Sequence, residues 1–562
     1  MQTTDRDFLV RIITWSALFT TLIVAPWTAY DPINVPKLAV IAIGGFTAAG
    51  VLVSNLSFAM DSRYRLINIL SGLFIIDLLA VLFLAGSNFY QGLFGTFGRA
   101  TGFVAYVSLT LLFLGASVVS SKSAVQKFAN TLLLGGFLSI IYGFFQAKGI
   151  DPFDWTNPYS PVIGFLGNPN FQSSFVGFSG IAAFAYVLSK DIKRTYKYAC
   201  TVYLVLSSYV IKETDSQQGF LVLLGGIGIV ILIWIPSSKL AILKYPSMFI
   251  GFFVVSFVTL GSLNKGPLGT ILYKPSVTYR GDYWLAGWKM TTEHPIIGVG
   301  LDSYGDWYRR ARTIEATLRR GPEITSNSAH NVFLDLSSNG GFPLLLIYVA
   351  LLSCVIRSVV RVLKRSTNFD APLAGLISVW FAYVAQSIIS VNQLGLAIWG
   401  WIISGLIVGY EISTRNMEST PKPSGRKIRH KTTKEIVPPK TTPKTLISVI
   451  CGFLIGSMLG LPPLIASNKY FSALKSYDIK KVEQSAYLWP YESNRMGQVA
   501  VFLANNKLQN EAIKVLKFGV GRIPDDYGLW RVISELPIAT PEQKAQALVQ
   551  MKRLDPLNPT LK

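Results

Sequence analysis

The sequence predicts an all-α membrane protein with about 13 transmembrane helices, followed by a small external helical domain. Thirteen stretches of mostly apolar residues are each about the length that a bilayer requires, roughly 20 residues. Only 15% of the 562 residues are charged, whereas soluble domains carry about 25%. Basic residues cluster in every second connection between the stretches, which is the pattern that orients membrane helices. The sequence therefore excludes a string of ordinary soluble domains.

The thirteen candidate spans follow one another as far as residue 466. They centre on 9–29, 37–55, 67–86, 102–120, 128–147, 171–189, 197–212, 217–235, 246–263, 341–363, 372–390, 394–412 and 445–466. The first span lacks a small-residue cleavage site, so it is interpreted as a membrane helix rather than as a removed signal peptide.

The basic residues predict the orientation of the protein in a cytoplasmic (inner) membrane. They follow the even-numbered spans, at Arg63 and Arg65, Lys122 and Lys127, 190–197, Lys239 and Lys244, 357–365, and 413–444. With thirteen spans, this places the N-terminus in the cytoplasm and the C-terminal domain outside. Most of the formal net charge of +22 is then a topology signal. Because long apolar runs surround the basic residues, membrane lipids rather than nucleic acid are the expected partners.

Four parts are predicted along the chain. Residues 1–412 form a polytopic transmembrane catalytic domain with a large external loop at 264–328. Residues 413–444, with nine basic and two acidic side chains, form a Pro- and Thr-rich cytoplasmic linker that can lie on anionic lipid. The last transmembrane helix occupies 445–466. An external helical domain occupies 467–562.

Prolines in the last part recur at a regular interval. Pro490, Pro524 and Pro556 are 34 and 32 residues apart, close to the period of about 34 residues in tetratricopeptide repeats. This spacing predicts a tetratricopeptide-like module through which a protein partner or an acceptor docks. A plain helical hairpin domain is the alternative.

The cysteines give no sign of a metal site or a disulfide framework. Cys200, Cys354 and Cys451 lie far apart in apolar segments, and neither chemistry has such spacing. Metal chemistry through thiolates is therefore excluded, and no metal or cofactor is predicted elsewhere in the sequence.

The unusual polar motifs all fall in connections that follow odd-numbered spans, and so on one face. They are GLFGTFGRATG (92–102) with Arg99, GNPNF (167–171) with Asn170, KETDSQQG (212–219) with Lys212 and Gln217, and the 264–328 loop leading into NSAHNVFLDL (327–336). Gly- and Asn-rich turns also occur as simple connections between helices, without any functional role. Charge and histidine on the same face nevertheless predict a functional site.

The 264–328 loop carries positive charge on the face where the topology rule does not require it. It holds nine Lys/Arg against six Asp/Glu, and its arginines crowd at Arg309, Arg310, Arg312, Arg319 and Arg320. Either this is a solvated basic helix, or it is a surface for anionic headgroups or diphosphates, which arginine binds through bidentate hydrogen bonds.

Arg280 stands apart from that cluster, beside Trp284 and Trp288. An arginine next to aromatic rings at a membrane surface suits a lipid phosphate. A structural ion pair with Asp282 is the alternative.

His330 is the most informative titratable residue, because it lies at the external boundary of the tenth span. Imidazole titrates near neutral pH and is the commonest general base or acid. A capping or interfacial role is the alternative. Asn331, which follows it, is a candidate substrate ligand.

Together the external motifs resemble the O-antigen ligase and O-antigen polymerase superfamily, which includes the bacterial O-oligosaccharyltransferases. The matching pieces occur in the family's order over about 90–410: FGRATG (97–102), GNPNF (167–171), R-x3-W with HPIIGVGLDSY (280–304), and SAHNVFLDLSSNGGFPLLLIY (328–348). The resemblance implies a glycosyltransferase C-like fold. It also implies metal-independent, inverting transfer of an oligo- or polysaccharide from an undecaprenyl diphosphate carrier to a glycan, lipid or protein hydroxyl. His330 would be the base at the acceptor, and Arg280 would stabilise the leaving diphosphate.

One position departs from the family pattern. Relatives often have an arginine after serine at the start of the span 217–235, where this chain has Gln217 after Ser216. Glutamine donates a hydrogen bond to a phosphate but supplies no charge. The candidates to supply that charge are Lys212, Arg99, Arg309, Arg310 and Arg312. Asn170 and Asn331 are further candidate ligands for the diphosphate or the glycan.

Two other classes of function remain open from the residues alone. A transporter or flippase carries ionisable groups near the bilayer midplane, and Asp77 in the third span is such a group. A non-enzymatic scaffold presenting the C-terminal module would tolerate substitution of His330 and Arg280.

Overall fold

The computed structural model describes residues 1, 3–153, 155, 162–273, 275–415 and 443–561. Within these ranges, all regular secondary structure is helical. The predicted linker 413–444 lies outside the described residues from 416 to 442.

Thirteen long helices coincide with the thirteen segments predicted to span a membrane. They are α1 (Thr3–Leu22), α2 (Asn34–Ser54), α4 (Arg65–Leu84), α6 (Phe103–Val119), α7 (Lys122–Ala147), α8 (Pro169–Leu188), α9 (Arg194–Glu213), α10 (Gln217–Trp234), α11 (Lys244–Ser262), α16 (Val332–Arg365), α17 (Ala371–Ser387), α18 (Leu394–Thr414) and α19 (Pro443–Ser476).

Nine helical segments in the described part of the chain are long and apolar enough to cross a membrane, rather than thirteen. The helices α6 and α17 are apolar but only 17 residues long, and α1 and α9 carry four charged residues each. The predicted class, an all-α polytopic membrane protein, is confirmed.

The remaining helices lie in the connections and at the C-terminal end. The connections contain α3 (Leu56–Ala59), α5 (Phe89–Phe94), α12 (Gly269–Leu272), α13 (Pro275–Glu293), α14 (Tyr304–Ala311) and α15 (Ile314–Arg320). The C-terminal end contains α20 (Ile479–Ser485), α21 (Ser493–Asn505), α22 (Gln509–Arg522), α23 (Tyr527–Glu535) and α24 (Pro541–Leu554).

A buried lysine closes the end of α1. The ammonium group of Lys37, which is fully buried, donates to the carbonyl oxygens of Thr20 and Thr21 at 2.9 Å and of Ile23 at 3.0 Å. The last carbonyl groups of a helix have no partner within it, and a cation is favourable at this negative end. This lysine therefore joins the start of α2 to the end of α1.

Glycines allow α19 to lie directly against α2. Gly452, Gly456 and Gly460 recur at four-residue intervals along α19, the small-residue spacing typical of close helix pairs in membranes. A Cβ atom at Gly456 would lie 2.6 Å from the carbonyl oxygen of Ala42, closer than such atoms approach. Only glycine fits there.

The helix α19 continues past the last predicted span into the C-terminal end of the molecule. Its Tyr470 and Ala473 belong to the hydrophobic core that α20–α24 form, together with buried residues that include Val482, Met496, Val499, Leu503, Leu516 and Leu529. We call residues 467–561 the C-terminal helices. Their relation to tetratricopeptide repeats stays a prediction.

The helix bundle has two chemically different ends. At one end, which we call the C-terminal face, the backbone N–H of Asp31 donates to Ser467 Oγ at 3.0 Å, and the Tyr90 and Tyr491 rings lie 5.0 Å apart. At the other end, a groove is lined by Arg63, Arg65, Arg357, Arg361 and Arg415. We call this end the basic face.

Candidate functional site

The candidate site is built on the start of α16, where the helix is broken. Gly341 has a φ of +73°, a left-handed conformation that favours glycine. The segment 294–300 fills this break, since the Phe342 N–H donates to the Pro295 carbonyl at 2.8 Å. A Cβ atom at Gly341 would lie 2.5 Å from the carbonyl oxygen of Ile296. Two of the motifs from the sequence are thus packed into one another.

His330 is presented by a turn that a buried carboxylate holds in place. Ser328 Oγ and the Ala329 N–H each donate to Asp335 at 2.7 Å, and the His330 N–H donates to Ser328 Oγ at 2.9 Å. The His330 backbone is left-handed, with φ of +53°. This conformation is uncommon outside glycine and recurs at functional sites.

Asn331, predicted as a substrate ligand, acts here as the N-cap of α16. Its Oδ1 atom accepts from the N–H groups of Phe333 at 3.0 Å and Leu334 at 3.2 Å. Asparagine is among the preferred residues at this position. The structure thus accounts for Asn331 by capping.

The imidazole of His330 lies among cations. Burial and the positive charges of Arg99, Arg280 and Arg320 lower the pKa of His330 to about 3, because both disfavour the imidazolium form. The ring stacks on Tyr283 at 5.5 Å between centroids. His330 is therefore a neutral imidazole at physiological pH.

Arg99 is brought to this place by a buried aspartate. The Thr96 N–H donates to Asp302 Oδ2 at 2.7 Å, which fastens the loop 95–102 to the segment that follows the 294–300 motif. Arg99 Nη2 donates to Asn327 Oδ1, and Arg99 Nε has no partner among the described residues. Burial lowers the pKa of Arg99, which nevertheless stays protonated.

Among the described residues, Arg280 is a cation without a counter-ion. Asp282, the predicted alternative partner, instead binds Arg319 at 2.6 Å, so that interpretation of Arg280 was wrong. In the described ranges the Arg280 guanidinium makes no hydrogen bond or ion pair, and burial lowers its pKa. Arg320 lies nearby, 4.5 Å above the Tyr279 ring, and donates to Tyr283 Oη.

The other three predicted arginines contact the C-terminal helices. Arg312, only 1% exposed, donates to Asp555 at 2.7 Å, and Arg309 donates to the same carboxylate at 2.9 Å. Arg310 lies 3.7 Å from Asp525. Each of these arginines therefore faces a carboxylate of the C-terminal helices, either Asp555 or Asp525, rather than standing in a solvated helix.

Asn170, Lys212 and Gln217 belong to a second polar group. Asn170 Oδ1 accepts from Ser216 Oγ at 2.7 Å, which joins the GNPNF motif to the start of α10. The side chains of Lys212 and Gln217 are exposed. No hydrogen bond or ion pair between described residues connects this group to His330.

Sequence reasoning missed the residues that position the site. Asp335 and Asp302 are 9% and 7% exposed, and neither was singled out, although a carboxylate at the start of an apolar span is itself a signal. The role of Tyr283 beside His330 had no sequence signal. In the described ranges, no group of three or more His, Cys, Asp or Glu side chains is arranged to hold a metal ion.

The family comparison agrees with this geometry. The family model described as O-antigen ligase matches residues 202–349, which contain Arg280, Arg320, His330 and the break in α16. No curated protein matches the chain. The long apolar helices mark an integral membrane protein. Residues 202–349 thus match the O-antigen ligase family model, which confirms the predicted resemblance of the chain to the O-antigen ligase superfamily.

Proposed function

We propose that the protein transfers a saccharide from undecaprenyl diphosphate to an acceptor hydroxyl at the outer surface of the cell membrane. The observation that carries this proposal is the neutral imidazole of His330 among Arg99, Arg280 and Arg320. Arg280 lacks a carboxylate partner in the described part of the chain, so it is available to an anionic substrate.

The arginines suit the leaving group of this reaction. When the bond between the anomeric carbon and the diphosphate oxygen breaks, its electron pair stays on that oxygen. Donors already aimed at the developing charge lower the barrier most, and a guanidinium binds two phosphate oxygens at once. Arg280 and Arg320 hold the diphosphate, and Arg99 adds charge from the opposite loop.

His330 suits the acceptor. Its neutral imidazole accepts the proton of the acceptor hydroxyl while the hydroxyl oxygen bonds to the anomeric carbon, opposite the leaving oxygen, which inverts the configuration. In the free protein its low pKa makes it a weak base. A bound diphosphate offsets the three positive charges and raises that pKa, so the base strengthens when the donor is in place.

The charge distribution supports the orientation that this reaction requires. With the basic face in the cytoplasm, the C-terminal face and His330 lie outside, where lipid-linked glycans are presented. Residues 467–562 are then an external domain above the transmembrane part.

The proposal is tested by profiling lipid-linked and surface glycans in a strain that lacks the protein. Accumulated lipid-linked polymer indicates a ligase, and accumulated single repeat units indicate a polymerase. Complementation with the wild-type chain restores the surface glycan, whereas complementation with His330→Ala does not; His294→Ala is the matched histidine control. A deletion strain with unchanged lipid-linked and surface glycans contradicts the proposal.

A further inference from the structure

A chamber of about 770 Å³ lies between the C-terminal helices and the loops of the C-terminal face. Its floor comes from the connections near residues 30–31, 88–97 and 305–309, and its roof from 490–501 and 526–532. Pockets that hold small-molecule ligands measure about 300–1,000 Å³. The chamber is therefore large enough for an organic ligand.

Aromatic rings from both sides line the chamber. Tyr30 and Phe97 lie 5.7 Å apart on the floor, and Tyr90 on the floor lies 5.0 Å from Tyr491 in the roof. An aromatic ring offers a flat apolar face, and tyrosine adds a hydroxyl group. Such rings suit a ligand that has apolar faces and many hydroxyl groups.

Polar groups between the rings donate and accept hydrogen bonds. Amides line the chamber at Asn88, Gln91, Asn327, Asn494 and Gln498. Burial raises the pKa of Asp306 and of Glu492 to about 7, so near neutral pH each carboxyl group both donates and accepts.

Two lining side chains have spare hydrogen-bonding capacity. Glu492 Oε1 has no partner among the residues described. Arg495 is 4% exposed, and its Nε–H is likewise unpaired in the described ranges. A buried polar atom without a partner costs about 1–3 kcal/mol, so this part of the chamber wall is polar rather than apolar.

The charges of the lining exclude other ligand classes. A lipid tail does not suit a chamber lined by Asp31, Asp306 and Glu492. A polyanion does not suit it either, because the three lining arginines are bound to protein. Arg309 binds Asp555 and Arg531 binds Glu323, both at 2.9 Å, and Arg495 donates to the carbonyl oxygens of Leu488 and Pro490 at 2.6 Å. Of these three ligand classes, a neutral polyhydroxylated molecule fits the lining of the chamber.

The chamber meets the candidate catalytic site at one residue. Asn327 lines the chamber and also accepts from Arg99, three residues before His330. It also lines a small polar cavity with Arg99, Ser328 and Asp335. A chain held in the chamber therefore has one end close to the arginines.

We propose that this chamber binds the neutral saccharide chain of a transferase substrate and aligns its reacting end with Arg99 and His330. The inference rests on the proposed function, because the reacting end belongs to either the donor glycan or the acceptor glycan. The C-terminal helices thereby form half of a saccharide site.

A pair of glycine variants tests the chamber. Gly497 lines it, and a Cβ atom there makes only one contact, with Leu529 at 3.7 Å. Gly497→Trp therefore places a bulky ring in the chamber and reduces the space left for a ligand. Gly521 lies on the neighbouring α22 with nothing within 4 Å of a Cβ atom. Gly521→Trp is thus the matched control.

Binding is measured by calorimetry on the full chain in nanodiscs. The probe is oligosaccharide released by mild acid from the surface polysaccharide of the parent strain. We expect Gly497→Trp to weaken binding at least about tenfold and Gly521→Trp to leave it unchanged. Asn494→Ala, an exposed change on the rim, removes one neutral hydrogen bond and weakens binding about fivefold. The proposal is overturned if Gly497→Trp and Asn494→Ala both bind the oligosaccharide as tightly as the wild type does. It is also overturned if the wild type does not bind the oligosaccharide.

Transfer kinetics identify which substrate occupies the chamber. A rise in KM for the acceptor in Gly497→Trp assigns the chamber to the acceptor glycan, and a rise in KM for the lipid-linked donor assigns it to the donor. If the KM values of Gly497→Trp for the acceptor and for the donor both equal those of Gly521→Trp, the proposal is overturned. Saccharide binding without any transfer from a lipid diphosphate refutes the proposed function but supports the chamber.

Discussion

Two groups of arginines on one loop carry the same charge in opposite electrostatic surroundings. Arg309 and Arg312 share the carboxylate of Asp555, whereas Arg280 has no carboxylate partner in the described part of the chain. The first pair holds the C-terminal helices against the loop. Arg280 lies near a histidine whose pKa it lowers. The number of arginines in a loop therefore says little about anion binding; the positions of the carboxylates decide it.

The largest expected effect is at His330, which links the unpaired arginines to the chemistry. We expect His330→Ala to lower the rate of glycan transfer about 10³-fold, because a positioned base contributes roughly 10²–10⁴-fold. The rate is measured with purified donor and acceptor, at equal protein in the membrane. His294→Ala is the control. Transfer at the wild-type rate in His330→Ala would remove this residue from the mechanism.

Substitution of Arg280 is expected to have the second-largest effect on the transfer rate. Arg280→Ala loses a charge aimed at the leaving diphosphate, and removing one such group typically costs about 10²–10³-fold in kcat. Arg280→Lys keeps the charge but not the planar fork, so it recovers only part of the activity. Lys289→Ala, an exposed cation on the same helix, is the matched control. Equal activity of Arg280→Ala and Lys289→Ala would show that the unpaired arginine binds no substrate.

Arg312 is expected to affect stability rather than chemistry. Arg312→Ala leaves the buried Asp555 with fewer partners, and breaking a buried ion pair costs about 3–5 kcal/mol. We expect faster proteolysis of the C-terminal helices and a lower Tm, with transfer falling only as folded protein is lost. The double variant Arg312→Met with Asp555→Leu recovers only part of the stability, because Arg309 loses its Asp555 partner. A kcat loss at unchanged stability would contradict the structural role.

The three histidines, His294, His330 and His430, make the electrostatic difference measurable. An ordinary histidine has a pKa near 6.5, and burial and nearby cations lower the pKa because both disfavour the protonated form. With a pKa of about 3, His330 stays neutral at pH 5, where an unperturbed histidine is mostly protonated. Nitrogen NMR of labelled protein reports this. Arg280→Ala removes one cation, so the pKa of His330 rises. Protonation of His330 near pH 6.5 in the wild type would refute the cationic surroundings.

The sequence predicted the class of the fold well because apolar length and basic connections are local properties. It also predicted that Arg99, Arg280 and His330 belong together, on one face of the membrane. It did not predict that Arg312 binds Asp555, because the partners are 243 residues apart and nothing local to either one indicates the other.

Residues near the site show the same limit. Asn331 beside a histidine is predicted as a substrate ligand. The fold adds a capping role that was not predicted from the sequence, because the Asn331 Oδ1 atom caps α16, a role that any helix start offers to asparagine. Asp335 is the reverse case: its side chain holds the His330 turn, and only the folded backbone reveals it.

The smallest expected effect is at Gln217, the position at which the family resemblance led us to expect an arginine. Gln217 is exposed at the start of α10, and its neighbour Ser216 binds Asn170 rather than any residue around His330. Because a neutral exposed amide contributes at most about 1 kcal/mol, we expect Gln217→Ala to slow transfer no more than about fivefold. Lys212→Ala, on the same connection, is tested in parallel. If Gln217→Ala lowers the transfer rate about 100-fold, the diphosphate binds on the Asn170 side rather than at Arg280. Arg280 would then be a structural cation, and the comparison between the two arginine groups would be reversed.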